Sequence, residues 1–239
     1  MKILTARPHR LLAACVDRLG EATARGEGCM FLVPPQYTLQ AELEIMEQLH
    51  VSGSFLIDVL SPKRLQSRVF ELAGMPKQTL FDERGKCMVL SSIIEAQKDE
   101  LSVYRGAAQN GSSGFTARMS NMIASLKRSG LSAADVARSA ESMDTESPAR
   151  AKLGDIARVY AAYEQRMAGE LADAEDISRE MCARFEASGM FKGQNVFVYG
   201  FDMITPTFAA ELLSIAPLCR TLTLAIETDA NAAPDGRLF

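Results

Sequence analysis

The chain lacks the residues with which a phosphate-loop ATPase holds its nucleotide. In such a protein the turn between the first strand and the first helix reads GxxxxGK[ST], and its amides, lysine and hydroxyl hold the phosphates and magnesium. Here Lys2–Thr5 is typical of a first strand and Leu11–Leu19 of a first helix. The turn over residues 5–10 contains no glycine and no lysine, and its proline has no N–H to donate. The residues of this degenerate nucleotide site are Thr5, Pro8, Arg10 and Leu11.

The chain also lacks the acid pair of a motor ATPase. Such an enzyme needs two carboxylates directly after a hydrophobic strand, one for magnesium and one to position the attacking water. After the strand predicted from Asn195 onward, Tyr199 and Gly200 stand at that point. Asp202 follows too late in the chain and is typical of a turn. Tyr199 and Gly200 therefore complete the degenerate nucleotide site, and we expect no catalytic residue in this chain.

Charge, metal ligands and membrane-spanning runs are scarce as well. The formal net charge is -4, so any contact with DNA must come from a local patch or from a partner. The two histidines and five scattered cysteines have no metal-ligand spacing, which argues against zinc and is typical of a reduced cytosolic protein. No apolar run approaches the roughly 18 residues of a membrane span. We therefore expect a cytoplasmic protein with no membrane contact, no metal and no cofactor.

Strand and helix patterns alternate at both ends of the chain, whereas the middle is nearly all helical in pattern. The predicted strands are Lys2–Thr5, Cys29–Val33, Phe55–Leu60, Asn195–Tyr199 and Thr221–Ile226. Continuous apolar runs joined by helices predict a parallel sheet with right-handed crossovers. The predicted fold class is α/β, with a RecA-like (phosphate-loop-NTPase-like) sheet and a large all-helical insertion. The RecA-like domain is assigned to residues 1–80 and 190–239, and the insertion to residues 81–189.

Two further predictions concern segments without a helix or strand pattern. The run GAAQNGSSG at residues 106–114 is typical of a flexible loop between helices. Residues 232–239 follow the last predicted strand without a closing element, so we expect the natural protein to be longer.

Two cations lie in the first turn of the helix that follows the third strand. Ser61 and Pro62 mark the start of this helix as N-cap and first helical residue. Lys63 and Arg64 come next, where the helix dipole favours acids. Either they form a solvated face, or they combine with the helix N–H groups to hold a DNA phosphate or a base edge.

A second group of polar residues follows the second strand. Because the carboxyl ends of parallel strands meet at one edge of a sheet, Gln36, Tyr37 and Thr38 are expected beside Lys63 and Arg64. Gln36 has the groups to bond base edges, and Tyr37 has a ring on which a base can stack. The alternative for Gln36 and Thr38 is turn chemistry and helix capping.

Two groups in the helical middle have a structural interpretation that outweighs a functional one. Asp173, Glu175 and Asp176 resemble a set of metal ligands, but an aspartate N-cap followed by acids is also typical of a helix start. Tyr160 and Tyr163 lie on the apolar face of their predicted helix and are expected in a core.

These motifs together resemble the amino-terminal part of the AddB family (called RexB in some bacteria), the second subunit of the AddAB helicase–nuclease that processes double-strand DNA breaks. The ordered set is what is specific, and it runs over nearly the whole chain. Its members are Phe31–Thr38 (FLVPPQYT), Val59–Leu65 (VLSPKRL), Gly114-Phe115, Lys152–Asp155 (KLGD), Tyr160-x-x-Tyr163, Asp173–Asp176 (DAED), and Val198–Phe201 (VYGF) with Thr205-Pro206.

The resemblance implies a helicase-like fold of superfamily 1 that scans single-stranded DNA for a recombination hotspot, Chi, and is not itself a motor. The contacts come from the loops after the second and third strands, so by position Gln36, Thr38 and Arg64 carry over. Pro62 and Ser67 occupy the positions where the family has aromatic residues.

Cofactors and partners follow from the same resemblance. Some members keep an intact phosphate loop, where this chain has the degenerate turn described above, with Leu12 after Leu11. The nuclease domain, with its iron–sulfur cysteines and magnesium, belongs to the carboxyl-terminal region of the family. The implied partners are an AddA-type motor and nuclease subunit, with which the protein forms a heterodimer, and DNA.

Three functions stay open on the sequence alone. The first is a non-catalytic module of a repair nuclease that contacts single-stranded DNA behind a partner motor. The second is a purely structural module that docks the motor subunit and touches no DNA. The third is an enzyme, either a residual ATPase or a small-molecule α/β enzyme.

Overall fold

The computed structural model describes residues 1–109, 113–169 and 171–228. The strands are β1 (Lys2–Ala6), β2 (Cys29–Leu32), β3 (Ile57–Leu60), β4 (Thr79–Leu80), β5 (Leu171–Ala172), β6 (Asn195–Val198) and β7 (Thr221–Glu227). The helices are α1 (Pro8–Ala24), α2 (Thr38–Leu49), α3 (Pro62–Ala73), α4 (Glu83–Gln97), α5 (Arg105–Gln109), α6 (Ser113–Arg128), α7 (Ala133–Glu141), α8 (Pro148–Met167), α9 (Ala174–Ser188) and α10 (Pro206–Ile215). The expectation drawn from residues 232–239 lies outside the described residues.

The chain divides into two compact units. The sheet unit comprises residues 1–75, 181–204 and the described residues from Ala209 onward. The helical unit comprises residues 76–180 and 205–208. Each unit has its own buried apolar cluster.

A parallel five-stranded sheet forms the centre of the sheet unit, with the strand order β1-β7-β6-β2-β3. Each of the four pairings is parallel, and the central register places Phe31 opposite Val59 on one side and Phe197 on the other. The α/β class and the parallel sheet predicted from the apolar runs are thereby confirmed. Parallel strands place all their carboxyl ends at the same edge, which from here on is called the carboxyl edge.

The strand β2 is covered on both faces, as its unbroken apolar sequence predicts. Cys29 and Phe31 pack in one cluster with Leu11 and Cys15 of α1. The alternate residues of the strand, Met30 among them, are buried as well. Because successive side chains of a strand point to opposite faces, this burial requires apolar cover on each side of the sheet.

The helical unit is built around α4, α6, α7 and α8. Tyr160 and Tyr163 of α8 are 1% and 0% exposed, so their prediction as core residues is confirmed. Asp155 of the same helix is buried, and its carboxylate accepts hydrogen bonds from the N–H groups of residues 102–104 and from the Ser102 hydroxyl. A parallel pair, β4 with β5, adds a short strand contact that the sequence pattern did not predict.

The predicted loop at residues 106–114 is wrong over most of its length. Residues 105–109 form α5, and α6 begins at Ser113; residues 110–112 lie outside the described residues. The reason is tertiary, because Ala108 is buried and Tyr104 packs its ring 5.3 Å from that of Phe115. Burial of alanine and aromatic side chains outweighs the weak helix propensity of glycine and serine.

In the part of the chain that the structure describes, no helix has both the length and the apolar character needed to cross a membrane.

Candidate functional site

The carboxyl edge brings together the segments that the sequence predicted as a binding site. The turn after β1, the loop after β2, the first turn of α3 and the residues after β6 all follow strands of the one parallel sheet. The strand order sets their sequence along the edge: the turn after β1 lies at one end, and Lys63 and Arg64 lie at the other. Tyr199 and Gly200 and the loop from Pro34 to Thr38 lie between them, because β6 and β2 are neighbours.

The loop after β2 is a short 3₁₀ turn over Pro35–Tyr37. The N–H of Tyr37 donates to the carbonyl of Pro34 (3.0 Å), and the Thr38 hydroxyl donates to the carbonyl of Pro35 (3.1 Å). These bonds match the turn chemistry that the sequence left open for Thr38. Gln36 lies at the tip of the turn and is exposed, so its amide group faces solvent.

Tyr37 is half-buried and held by its hydroxyl and its ring. The hydroxyl donates to Oε2 of Glu44 over 2.5 Å, and the ring centroid lies 5.8 Å from that of Tyr199. Burial, together with the hydrogen bond to Glu44, raises the pKa of Tyr37 above its ordinary value. The ring that was predicted to stack on a base therefore has a protein contact already.

Helix α3 begins as the sequence predicts. Ser61 is its N-cap, and the serine hydroxyl accepts a hydrogen bond from the N–H of Arg64 (3.3 Å), with Pro62 at the first helical position. Lys63 and Arg64 are both exposed on this first turn. The cap satisfies one of the helix's free N–H groups and leaves the two cations facing solvent.

The two cations differ in their surroundings. Nη1 of Arg64 lies 3.4 Å from Oε1 of Glu42 and 3.5 Å from the carbonyl oxygen of Val59, so this guanidinium is loosely tethered. Within the described residues, no carboxylate lies within ion-pair distance of Lys63. An exposed ion pair contributes about 0–1 kcal/mol to stability. The contacts of Lys63 and Arg64 within the protein are therefore too weak to prevent either cation from binding an anionic ligand.

The turn after β1 is where a phosphate loop would lie. Here α1 begins at Pro8, and its N-cap Arg7 is extended, with a carbonyl that accepts from the N–H groups of Arg10 (2.8 Å) and Leu11 (3.0 Å). Leu11 and the leucine that follows it are buried in the core cluster of the sheet unit. Thr5 and Arg10 are exposed at this turn.

Tyr199 and Gly200 occupy the strand end where a motor ATPase has its acid pair. Tyr199 stacks on Phe31, with ring centroids 5.7 Å apart and an interplanar angle of 23°, and it touches Tyr37 on another side. Gly200 follows with a φ of +75°, and a Cβ there would lie 3.5 Å from Cδ of Pro34. Tyr199 and Gly200, predicted as parts of the degenerate nucleotide site, thus pack against the loop that contains Gln36.

Glu42 and Glu44 are residues of this site that the sequence analysis missed. Glu44 lies seven residues after Tyr37, about two helical turns along α2, a spacing that places both on one side of a helix. That spacing was the available signal. The contact of Glu42 with Arg64 joins residues far apart in sequence, and only the pairing of β2 with β3 reveals it.

The acids considered as metal ligands have other partners. Asp173 caps α9, because its Oδ1 accepts from the N–H of Asp176 (3.0 Å), which confirms the helix-start interpretation. Nζ of Lys127 lies 2.7 Å from Oδ2 of Asp173 and 2.9 Å from Asp176. Nζ of Lys86 lies 3.3 Å from Glu175 and 3.8 Å from Asp173. We call these five residues the buried ionic cluster.

The buried ionic cluster surrounds the hydroxyl and ring of a core tyrosine. Tyr163 donates to Oδ2 of Asp173 (3.0 Å), and the ammonium groups of Lys127 and Lys86 lie 5.4 Å and 5.9 Å from its ring centroid. Burial alone raises the pKa of Asp173, but the hydrogen bond and charge of Lys127 outweigh it and lower that pKa to about 2. Nothing in the sequence indicates the burial of Lys86. Gly85 and Lys86 are typical of the start of an ordinary helix.

The carboxyl edge presents side chains that can donate hydrogen bonds to a ligand. Its exposed residues include Gln36, Lys63 and Arg64, and Arg10 at the far end. These donors suit phosphate oxygens and base edges. Among the described residues, no group of three or more histidine, cysteine, aspartate or glutamate side chains is arranged to hold a metal ion.

The chain is similar in sequence to one protein family and to several proteins that share one name. A family model described as "ADDB, N-terminal" matches residues 7–239. The chain is 31% identical over 222 residues to the B subunit of the ATP-dependent helicase/deoxyribonuclease of Moorella thermoacetica, and 30% identical over 225 residues to the protein of the same name from Bacillus mycoides. Each alignment covers 90% of this chain and 19% of the relative.

A third relative has the same name. The protein from Alkaliphilus metalliredigens is 27% identical over 201 residues, which are 84% of this chain and 17% of the relative. The chain therefore spans less than a fifth of the length of these relatives. The resemblance identified from the ordered motifs of the sequence is confirmed.

Proposed function

The chain belongs to the family of AddB amino-terminal domains, and we propose that it is an ATPase-inactive, helicase-like module within the B subunit of a helicase–nuclease that repairs DNA breaks. In this proposal the sheet unit is a RecA-like domain and the helical unit is an insertion in it. The module contacts single-stranded DNA through the carboxyl edge while a partner subunit supplies the motor. Reading of a recombination hotspot from that strand is part of the same proposal.

The observation that carries the proposal is the pair of exposed cations at the start of α3. Lys63 and Arg64 lie at the first turn of a helix, beside the loop that exposes Gln36. Pro62 has no N–H, and the N–H of Arg64 donates to Ser61. The N–H of Lys63 and the two cations are therefore the groups that favour phosphate. The exposed Gln36 side chain suits a base edge. With a net charge of -4 on the whole chain, a local patch of this kind is what contact with DNA requires.

Two features of the sheet unit support the loss of ATP hydrolysis. The leucines that follow Arg10 are buried in the core, where a phosphate loop would present a lysine and a hydroxyl. Tyr199, packed on Phe31, occupies the strand end that would carry the acids for magnesium and water. A site without these groups lacks the lysine, the magnesium ligands and the water-positioning acid on which phosphoryl transfer depends.

Partners and cofactors of the whole protein belong to the same proposal. The names of the relatives describe one subunit of a larger enzyme, and we expect an AddA-type motor subunit as its partner. The iron–sulfur cluster and magnesium that the family resemblance implies would be bound by a nuclease region other than these residues.

The test is single-stranded DNA binding by the full polypeptide, measured against salt concentration. We expect the double substitution Lys63→Glu and Arg64→Glu to weaken binding about tenfold or more and to reduce the salt slope by about 1 to 2, because each cation lost from a phosphate contact releases one counterion fewer. The matched control is Arg25→Glu with Lys192→Glu. These two exposed cations precede β2 and β6, at the opposite edge of the sheet, and Arg25 also has one nearby carboxylate, Glu27.

Unchanged affinity in the Lys63 and Arg64 variant would contradict DNA contact by this edge. It would favour the alternative that the module only docks the motor subunit. A separate measurement concerns ATP: we expect magnesium ATP to leave the melting temperature of the sheet unit unchanged, and a rise of several degrees would contradict the loss of the nucleotide site.

A further inference from the structure

We propose that Glu44 and Tyr199 are positioning residues, which hold Tyr37 and thereby keep the loop of Gln36 in the conformation that meets a DNA strand. This inference rests on the proposed function of the carboxyl edge. It assigns a role to Glu44, which the sequence analysis did not identify, and a new role to Tyr199.

Glu44 holds the hydroxyl end of Tyr37. The Tyr37 hydroxyl donates to Oε2 of Glu44 over 2.5 Å, and Oε1 of the same carboxylate accepts from the amide of Gln40 over 2.6 Å. A hydrogen bond to a charged acceptor is roughly twice as strong as one between neutral groups. A tyrosine hydroxyl is protonated at neutral pH in any case, and burial, followed by this bond, raises the pKa of Tyr37 further above that range.

Tyr199 holds the ring of Tyr37. Their ring centroids are 5.8 Å apart, and Tyr199 is itself stacked on Phe31, which is 0% exposed. A ring supported by a fully buried neighbour has little freedom to move. Tyr37 is thus held by the ring of Tyr199, which follows β6, and by Glu44 of helix α2.

The backbone of the loop after β2 is restricted as well. Pro34 and Pro35 have restricted φ angles, and the N–H of Tyr37 donates back to the carbonyl of Pro34. Gly200, with its positive φ, lies against Pro34, where a Cβ would be 3.5 Å from the proline ring. Tyr37 closes this turn, and its contacts with Glu44 and Tyr199 add to these restrictions.

Phenylalanine at position 37 would keep a ring to pack near Tyr199 but would lose the hydrogen bond to Glu44. The hydroxyl and Glu44 tie the end of the turn, one residue after Gln36, to helix α2. A loop held in its bound conformation loses less entropy on binding, so its ligand binds more tightly without any new contact.

The test uses the full polypeptide and the variants Tyr37→Phe, Glu44→Ala and both together, with single-stranded DNA as the probe. We expect each single substitution to weaken binding about fivefold, while the salt slope stays at its parent value because no phosphate contact is lost. The double variant should bind no more weakly than either single one, since both remove the same hydrogen bond. Glu44→Gln keeps an acceptor oxygen and should restore most of the affinity.

Two measurements separate positioning from general damage. Glu47→Ala removes the same charge from an exposed position of the same helix, and we expect parent affinity. Hydrogen exchange should become faster in Tyr37→Phe over residues 34–40 and stay unchanged over the helical unit. Tyr199→Leu, which removes the ring support, should give the same local increase and a similar loss of affinity.

The outcomes distinguish this inference from the proposed function. If Tyr37→Phe and Glu44→Ala bind like the parent while the Lys63 and Arg64 reversal weakens binding, the positioning role is wrong and the DNA contact stands. A loss of affinity accompanied by a reduced salt slope would also overturn it, because Glu44 and Tyr37 would then act on phosphate contacts. If the parent binds no DNA, both proposals fail.

Discussion

The sheet unit and the helical unit place their charges in opposite ways. At the carboxyl edge of the sheet unit, Lys63 and Arg64 are exposed, and the ion pair between Arg64 and Glu42 is loose. In the helical unit, the side chains of Lys86 and Lys127 are 4% and 5% exposed and each is held by carboxylates. A buried lysine must be paired, because an uncompensated charge away from water costs several kcal/mol.

This difference distinguishes charged side chains that support the fold from charged side chains that are exposed to a ligand. The ammonium groups of the buried ionic cluster donate to Asp173, Glu175 and Asp176, so a ligand would have to displace these carboxylates. Lys63 and Arg64 on α3 are exposed, and Arg64 has only the loose contacts with Glu42 and the Val59 carbonyl, so a phosphate would have little to displace there. Both units contain neighbouring charged residues, but those of the buried ionic cluster are paired and largely buried, whereas Lys63 and Arg64 are exposed.

The largest effect on stability is expected from breaking the buried ionic cluster. We expect Asp173→Ala to lower the free energy of unfolding by about 3–5 kcal/mol, because it leaves two buried lysines without a shared partner. It also removes the acceptor of the Tyr163 hydroxyl and the cap of α9. Denaturant unfolding measures the change, and Asp99→Ala, an exposed acid of the same unit, should stay within about 0.5 kcal/mol of the parent.

A loss of less than about 1 kcal/mol in Asp173→Ala would contradict the comparison. It would mean that water or other acids replace Asp173 as the partner of the lysines, and that breaking the buried ionic cluster costs no more stability than breaking a surface ion pair.

A smaller effect is expected from acid. The pKa of Asp173 falls from 3.8 to about 2 in the folded protein, because the hydrogen bond and charge of Lys127 outweigh the effect of burial. A carboxyl group with a lowered pKa stabilises the fold above its unfolded pKa and loses that contribution as the pH falls through its folded pKa. Between about pH 4 and pH 2, we therefore expect Asp173 to account for a loss of about 2 kcal/mol.

The measurement is unfolding at several pH values in the parent and in Asp173→Asn, which cannot titrate at this position. The parent should lose stability more steeply below pH 4 than the variant does. Parallel pH profiles would show that Asp173 does not titrate with a lowered pKa.

The smallest effect is expected at the carboxyl edge. Lys63→Ala should leave the free energy of unfolding within about 0.5 kcal/mol of the parent, and Arg64→Ala should cost no more than about 1 kcal/mol, because its ion pair with Glu42 is exposed. Denaturant unfolding checks both. A larger cost for either residue would mean that the cation supports the fold, which would weaken the case for an available binding surface.

The local signals in the sequence were sufficient for most elements. Ser61-Pro62 predicted the start of α3, the apolar run from Cys29 predicted a strand covered on both faces, and Asp173 predicted a cap. Each of these depends on residues within one or two turns of the chain. The helix at residues 105–109 was missed because its stability comes from packing of Ala108 and not from helix propensity.

For the candidate site, the sequence located its members but not their contacts. It placed Gln36, Lys63 and Arg64 at one edge of a parallel sheet, since that follows from topology alone. It assigned Tyr199 to the degenerate nucleotide site and gave Tyr37 a ring on which a base can stack, but it predicted no contact between them, whereas the structure packs the two rings together. No pattern in a single sequence gives the separation of side chains on different strands.

By itself, then, the sequence determined the alternation of strands and helices, the missing phosphate loop and acids, and the family, because these depend on residue types and their spacing. The tertiary structure decided which charges are buried and which are free, since burial depends on what packs over a side chain from distant parts of the chain. Lys86 and Lys63 are both lysines near the start of a helix, and only their surroundings make one of them a structural residue and the other a residue available to a ligand.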